Sequence, residues 1–299
     1  MSNIKNVAMI TVSGRPNVGK SSLTNALVGE KVAIVSNKAQ TTRNRIYGVV
    51  NRDDTQYILL DTPGLHKPKS VLGDYMVKVV TSSLSDVDCA LLLVEPIAHV
   101  GGPELALIER IKEEHLPAIL CINKIDTVEP AALLPVIAAY NEAWDGFDAI
   151  IPISAHSGSG LDDLMKELRK YASEGPQLFP DGQTSDQPER QVVGEIVREK
   201  LLLCLDKEIP HGTAVEITKF SERDSGVIDV DATIYCEKAS HKGIIIGKQG
   251  AMLKKISTMA RHDMEKFMGT KVYLETWVKV KENWRDNVNY VRSFGYNDD

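Results

Sequence analysis

One junction near the start of this chain constrains its fold more than any other feature. The apolar and β-branched stretch Val7-Ala8-Met9-Ile10-Thr11-Val12 is followed, after one serine, by Gly14-Arg15-Pro16-Asn17-Val18-Gly19-Lys20-Ser21. A buried strand leading into GxxxxGK[ST] and then a helix is the opening of a mostly parallel sheet with covering helices. The residues that follow fit the same plan. Tyr57–Leu60, Ala90–Val94, Ala118–Ile122 and Ala149–Ile153 read as further buried strands, separated by helical spacing such as Leu105, Ile108, Ile111 and Leu161, Leu164, Met165, Leu168. The expectation is an α/β domain with helices on both faces of the sheet. Ligands in such folds lie outside the carboxyl ends of the strands, so the chemistry is sought there.

Composition removes several alternatives. Of the 299 residues, 43% are hydrophobic and 25% charged, which supplies a core and excludes wholesale disorder. The longest apolar runs have strand length, so no membrane span is expected. The first residues carry no cleavage-like site, so no secretory signal is expected either. Cys89, Cys121, Cys204 and Cys236 lie far apart with no CxxC pair. That spacing suits reduced thiols in a cytoplasm and argues against a disulfide scaffold or a zinc site.

The stretch 172–189, ASEGPQLFPDGQTSDQPE, has three prolines, two glycines and no periodicity. It is read as a linker between a domain of residues 1–171 and a second of residues 190–299. The net charge is −6, yet residues 238–285 hold 11 basic and 4 acidic side chains. An acidic chain with one basic stretch suggests a polyanion-binding region in the second domain.

Each strand end of the first domain suits one part of a nucleoside triphosphate. Gly14 and Gly19 let the backbone of residues 14–21 curl so that its N–H groups face a β-phosphate. The helix that follows adds its positive end, Lys20 can reach the β and γ phosphates, and the Ser21 hydroxyl suits Mg²⁺. Asp61-Thr62-Pro63-Gly64 closes the next strand. By itself it is a common turn; paired with residues 14–21 it places Asp61 beside the metal through a water and the Gly64 N–H at the γ-phosphate. Asn123-Lys124-Ile125-Asp126 chooses the base. The Asp126 carboxylate can accept from guanine N1–H and its 2-amino group, whereas adenine would leave a buried carboxylate unpaired. The Lys124 stem can cover the base and Asn123 can tie the loops together. A backbone N–H of Ser154-Ala155 can donate to guanine O6. The expected ligands are GTP and GDP with Mg²⁺.

GRPNVGKS, DTPG, NKID and SA resemble the first, third, fourth and fifth sequence boxes of the translation-factor-like class of P-loop GTPases. The resemblance puts the second box in Lys38–Asn44, with Gln40 and Thr41 beside the nucleotide. Thr42 would close over the γ-phosphate and join Ser21 and Asp61 around Mg²⁺, with adjacent Thr41 the alternative. Catalysis would then rest on Lys20, Thr42, Gly64 and Asn17. Ras-like enzymes carry a water-orienting glutamine where this chain has Leu65, so slow intrinsic turnover is expected, raised by a partner or a cation. Asn17 matches the asparagine that holds K⁺ in related enzymes. Leu65–Ser70 would form a mobile switch, and His66 within it is read as solvated rather than as a general base.

In the second domain, Ile244-Ile245-Ile246-Gly247-Lys248-Gln249-Gly250 leads into a helix with basic residues. A GxxG loop brings backbone N–H groups against a nucleic-acid strand, and an adjoining groove takes about four unstacked bases. Lys248, Gln249, Lys254, Lys255 and Arg261 are the expected contacts beside the two glycines. A helix over Val192–Leu205, strands over Ala214–Phe220, Val227–Cys236 and Val272–Val280, a second helix around Met259–Met268 and a helical end from Glu282 to Val291 make an α+β type II KH domain. A GTPase followed by such a domain resembles the Era family of bacterial ribosome-assembly GTPases. The resemblance implies binding to small-subunit ribosomal RNA near its 3′ end and a part in small-subunit maturation, with peripheral inner-membrane association in some members. Separately, nothing in the sequence suggests an obligate dimer, so a monomer is expected. A membrane-linked signalling GTPase using the KH-like domain for protein binding is the alternative.

Overall fold

The structure is a computed structural model that describes residues 4–65, 68 and 70–296. His66, within the expected switch, lies outside the described residues. The chain divides into two compact units, Met1–Ala33, Thr42–Lys67 and Met76–Asp186 in one, Ile34–Thr41, Pro68–Tyr75 and Gln187–Asp299 in the other.

In the first unit the strands are β1 (Asn6–Gly14), β2 (Ile46–Arg52), β3 (Thr55–Asp61), β4 (Cys89–Val94), β5 (Ala118–Ile122), β6 (Ala149–Pro152) and the two-residue β7 (Ser173–Glu174). Their order is β2-β3-β1-β4-β5-β6, with β7 added to the start of β1. Pairing is parallel except for β2 on β3 and β7 on β1. The period-2 geometry of β4 sends Leu91 and Leu93 to one face and Leu92 and Val94 to the other. The first face packs on α1 (Lys20–Val28) through Leu23 and on α5 (Leu161–Leu168) through Leu164 and Leu168. The opposite face packs on α3 (Gly102–Glu113) through Leu107 and Ile108, and on α4 (Leu133–Ala143) through Val136 and Tyr140. A further helix, α2, spans Val71–Ser82. Burial on both faces explains why β1, β4 and β5 read as unbroken apolar runs.

Residues 172–189, expected to be a linker, are in large part tied to this sheet. Gln56 accepts from the Leu178 and Phe179 N–H groups and donates to the Phe179 carbonyl. Val49 N–H donates to Thr184 O, and Tyr47 N–H to the Asp186 carboxylate. The segment thus covers part of the outer edge of β2, which would otherwise present unpaired backbone groups.

The second unit has α6 (Glu189–Cys204), β8 (Thr213–Glu222), β9 (Ile228–Cys236), α7 (Ala239–Ile246), α8 (Ala251–Met268), β10 (Val272–Val280) and α9 (Val288–Ser293). The sheet order is β10-β9-β8, parallel then antiparallel. Ile256, Ala260 and Met264 form one stripe of α8, four residues apart, and meet Val193, Ile196 and Val197 of α6 and Val230, Ala232 and Ile234 of β9. Residues 251–268 form one helix, not the two that the sequence suggested. Ser257, in the middle, is accommodated because its hydroxyl donates to Leu253 O and meets the Thr276 hydroxyl on β10. Among the described residues no helix is long and apolar enough to cross a membrane. All four cysteines are free thiols, and three are buried.

Candidate nucleotide site and nucleic-acid interface

The carboxyl ends of β1, β3, β4 and β5 converge on one edge of the first sheet. Gly14 leaves β1 with φ +151°, and a Cβ there would sit 2.4 Å from the Leu93 carbonyl of β4. Gly19 has φ +103°, and a Cβ would fall 2.2 Å from the Asn123 amide. Both glycines are therefore dictated by close approach as well as by backbone conformation. No side chain caps α1 at Gly19 and its first turn has no acidic residue, so its N-terminal N–H groups and dipole face the loop.

Inside that loop, buried Lys20 donates from Nζ to the carbonyls of Gly14 at 3.1 Å and Arg15 at 2.9 Å. Burial lowers its pKa to about 8, with the charge of Asp61 opposing the shift. Ser21, Thr42 and Asp61 meet directly. The Ser21 hydroxyl donates to Asp61 Oδ2 at 2.6 Å and lies 2.8 Å from the Thr42 hydroxyl. Burial pushes the Asp61 carboxyl up to about 6, against the Ser21 hydrogen bond and the Lys20 charge. Its other oxygen, Oδ1, is buried with no hydrogen-bond partner among the described residues. Two hydroxyls and a carboxylate with a spare oxygen are hard donors of the kind Mg²⁺ takes. The residues present fit that ion.

Thr41 is placed elsewhere. Its hydroxyl donates to Lys38 O at 2.6 Å, and its carbonyl, with that of Gln40, receives the Arg198 guanidinium within the second unit. Of the two adjacent threonines only Thr42 joins Ser21 and Asp61. Thr62 is structural: its hydroxyl donates to Val12 O at 2.9 Å and pins the end of β3 to β1. Pro63 is buried beside it, and a Cβ on Gly64 would fall 2.6 Å from the Pro16 nitrogen. Leu65 packs into the apolar cluster of Val80 and Leu92, as a leucine would, and has no group to orient water.

At the base-reading end, Asn123 ties the loops as expected, donating to Val18 O at 2.8 Å and accepting from Ala155 N–H at 3.0 Å. That second bond corrects one expectation. The Ala155 N–H is engaged by Asn123, and the Ser154 N–H by Ser159 O, so neither is free for guanine O6. Asp126 also differs, being exposed rather than buried. The Ser154 hydroxyl orients it at 2.6 Å and holds its carboxyl below the usual range, so it is a charged acceptor at neutral pH. Lys124, at φ +63°, donates to Asn17 O at 2.7 Å and to Glu95 at 2.6 Å. Asn17 is exposed at φ +69° beside buried Val18. Arg15 is turned onto Glu104 and Glu95. Those two glutamates escaped the sequence reading, although Glu95 directly follows an apolar strand at the carboxyl edge, where ligand-facing residues are sought.

In the second unit, Gly247 ends α7 with φ +73°, and a Cβ would lie 2.7 Å from that of Met252. Gln249 and Gly250 also have positive φ, so the loop turns sharply into α8. Lys248, Gln249, Lys254 and Lys255 are exposed, and the three lysines have no carboxylate partner among the described residues. Cations beside a helix N-terminus oppose its dipole unless an anion is brought there. Arg261 departs from expectation: it pairs with Glu265 at 2.9 Å and is not a free cation.

Family models match both units, a 50S ribosome-binding GTPase at residues 9–124 and a KH domain at residues 208–285. The GTPase Era of Ruminiclostridium cellulolyticum is 50% identical over 287 residues, covering 96% of each chain. That of Clostridium kluyveri is 51% identical over 96% of this chain and 98% of its own. The chain belongs to the Era family of GTPases. Among solved structures, a point variant of Aquifex aeolicus Era bound to GDP·AlF₄⁻ is 40% identical with a TM-score of 0.94, over 97% of this chain and 99% of that one. Era in complex with MgGDPNP and nucleotides 1506–1542 of 16S ribosomal RNA matches as well, with 40% identity, a TM-score of 0.94, and 98% and 99% coverage. Membership of the Era family accounts for both sites on one chain.

Proposed function

We propose that this protein is a GTP-hydrolysing switch that binds small-subunit ribosomal RNA near its 3′ end through the GxxG face and acts in maturation of the small subunit. The observation that carries the first half is the meeting of Ser21, Thr42 and Asp61 beside Lys20. The second half is supported by the free lysines at the GxxG turn and by the Era relative solved with 16S ribosomal RNA nucleotides.

Phosphoryl transfer to water asks for positioning and charge neutralisation more than for covalent help. Magnesium, when bound, supplies charge at the phosphates. Ser21, Thr42 and Asp61 would hold it, and Lys20, charged over most of the neutral range, faces the same region. Asp126, preset by Ser154, reads the guanine edge, with Lys124 stretched beside it toward Asn17. Thr42 joins the metal donors, so the loop before it senses whether the γ-phosphate is there. With Leu65 in an apolar cluster, intrinsic turnover is slow, and Asn17 would be the residue to hold a K⁺ that supplies the missing charge. The protein works as a monomer in the cytoplasm, with any membrane association peripheral.

Crosslinking to ribosomal RNA, with and without a non-hydrolysable GTP analogue, tests partner and switching together. Nucleotide-dependent crosslinks at the 3′ end of the small-subunit RNA are expected. Undiminished RNA retention by a Gly247→Asp, Gly250→Asp variant would bring back the protein-binding alternative. Equal turnover in sodium and potassium buffers would remove the K⁺ role.

A further inference from the structure

The strand order β1-β4-β5 puts β4 between the strand that feeds the phosphate loop and the strand that feeds the base-reading loop. The residue that leaves β4 is Glu95, and it uses that place. One carboxylate oxygen lies 2.6 Å from Lys124 Nζ and the other 4.0 Å from the Arg15 guanidinium. Lys124 in turn donates to the carbonyl of Asn17, the exposed left-handed residue of the phosphate loop. Glu104, in the first turn of α3, takes the Arg15 guanidinium from the other side and is buried, with its side chain 1% exposed.

Two carboxylates beside an anion site repel the ligand and cost desolvation, so their presence needs a compensating role. The geometry points to one: Glu95 is a positioning residue that couples guanine reading to the phosphate grip by holding Lys124 across both loops, while Glu104 fixes Arg15 as a brace of the phosphate loop alone. Both glutamates act through cations of the loops, Lys124 and Arg15. Freed of Glu95, the long Lys124 side chain regains its rotamers, and Asn17 loses a fixed donor. Asp126 shares a short loop with Lys124 and loosens with it. Freed of Glu104, Arg15 swings, but the base-reading loop stays where it is.

This inference rests on the guanine-nucleotide reading, and calorimetric titration of the full chain with GDP and IDP, which lacks the 2-amino group, separates the two. If the wild type binds neither, the nucleotide reading itself fails. If it prefers GDP, Glu95→Gln is expected to weaken GDP about tenfold and to narrow the GDP:IDP ratio about threefold. Glu104→Gln is expected to weaken both ligands alike and leave the ratio unchanged. In a Lys124→Gln background, adding Glu95→Gln should change nothing further, because the glutamate acts through the lysine. General destabilisation would instead lower the melting temperature of the ligand-free protein with the ratio intact. Wild-type affinity and ratio in Glu95→Gln, or fully additive effects with Lys124→Gln, would overturn the coupling. Glu95 is partly exposed, so its variant tests the proposal even if Glu104→Gln does not fold.

Discussion

Asp126 and Asp61 are both carboxylates, but opposite environments give them opposite tasks. Asp126 is exposed and held ionised by the Ser154 hydroxyl. Replacing it with asparagine converts an acceptor pair into one acceptor and one donor. Asp126→Asn is therefore expected to lose GDP affinity and gain xanthosine diphosphate, whose 2-oxo group accepts from an amide; a competition titration reads the swap. Asp61 is buried and raised to about 6. In magnesium- and nucleotide-free buffer the folded state then binds the proton that the unfolded chain, near 3.8, has released. Its contribution to stability is accordingly largest below the unfolded value and falls as pH rises toward about 6. Denaturant melts should show Asp61→Asn more stable than wild type at pH 7 by about 1–3 kcal/mol, with that part of the pH dependence gone. Excess magnesium should shrink the difference, since only the wild type gains from binding it.

At the scale of elements, the residues easiest to read were those buried on both faces. β4 and β5 are unbroken apolar runs, and β5 leads straight into Asn123-Lys124-Ile125-Asp126, so there strand and motif announced each other. β2 was missed. Its Ile46-Tyr47-Gly48-Val49-Val50 lies between charged neighbours and occupies an edge, where half the side chains meet solvent. The Ile244–Ile246 run proved helical, a case where a short apolar stretch carries no period of its own. Glu95 could not be read because its meaning depends on strand order, which places three distant loops side by side. Ala155 was misjudged because a backbone N–H has no sequence signature for its partner. Residues 172–189 looked loose from composition, yet Gln56 anchors their middle with three hydrogen bonds and holds Asn51 with a fourth. Gln56→Ala should strand the Leu178 and Phe179 donors at a cost of about 2 kcal/mol. Hydrogen exchange should report it as lost protection over residues 175–186, with the phosphate loop unchanged.

For the molecule as a whole, charge is divided as the two activities require. The chain is acidic overall, with exposed lysines free of carboxylate partners gathered at the GxxG turn. With about three phosphates neutralised by Lys248, Lys254 and Lys255, RNA affinity should fall with a log–log salt slope of about −2. Lys254→Ala with Lys255→Ala should flatten that slope by about 1.4 while leaving GTP hydrolysis without RNA unaltered. The strap from Ser173 to Asp186 has a practical corollary for anyone cutting the chain in two. A fragment stopped at the apparent boundary of residue 171 would bare the Tyr47 and Val49 amides along an open strand, an invitation to dock edgewise on its own copies. One carried on through Asp186 keeps its selvage, and should stay in solution where the shorter piece clots.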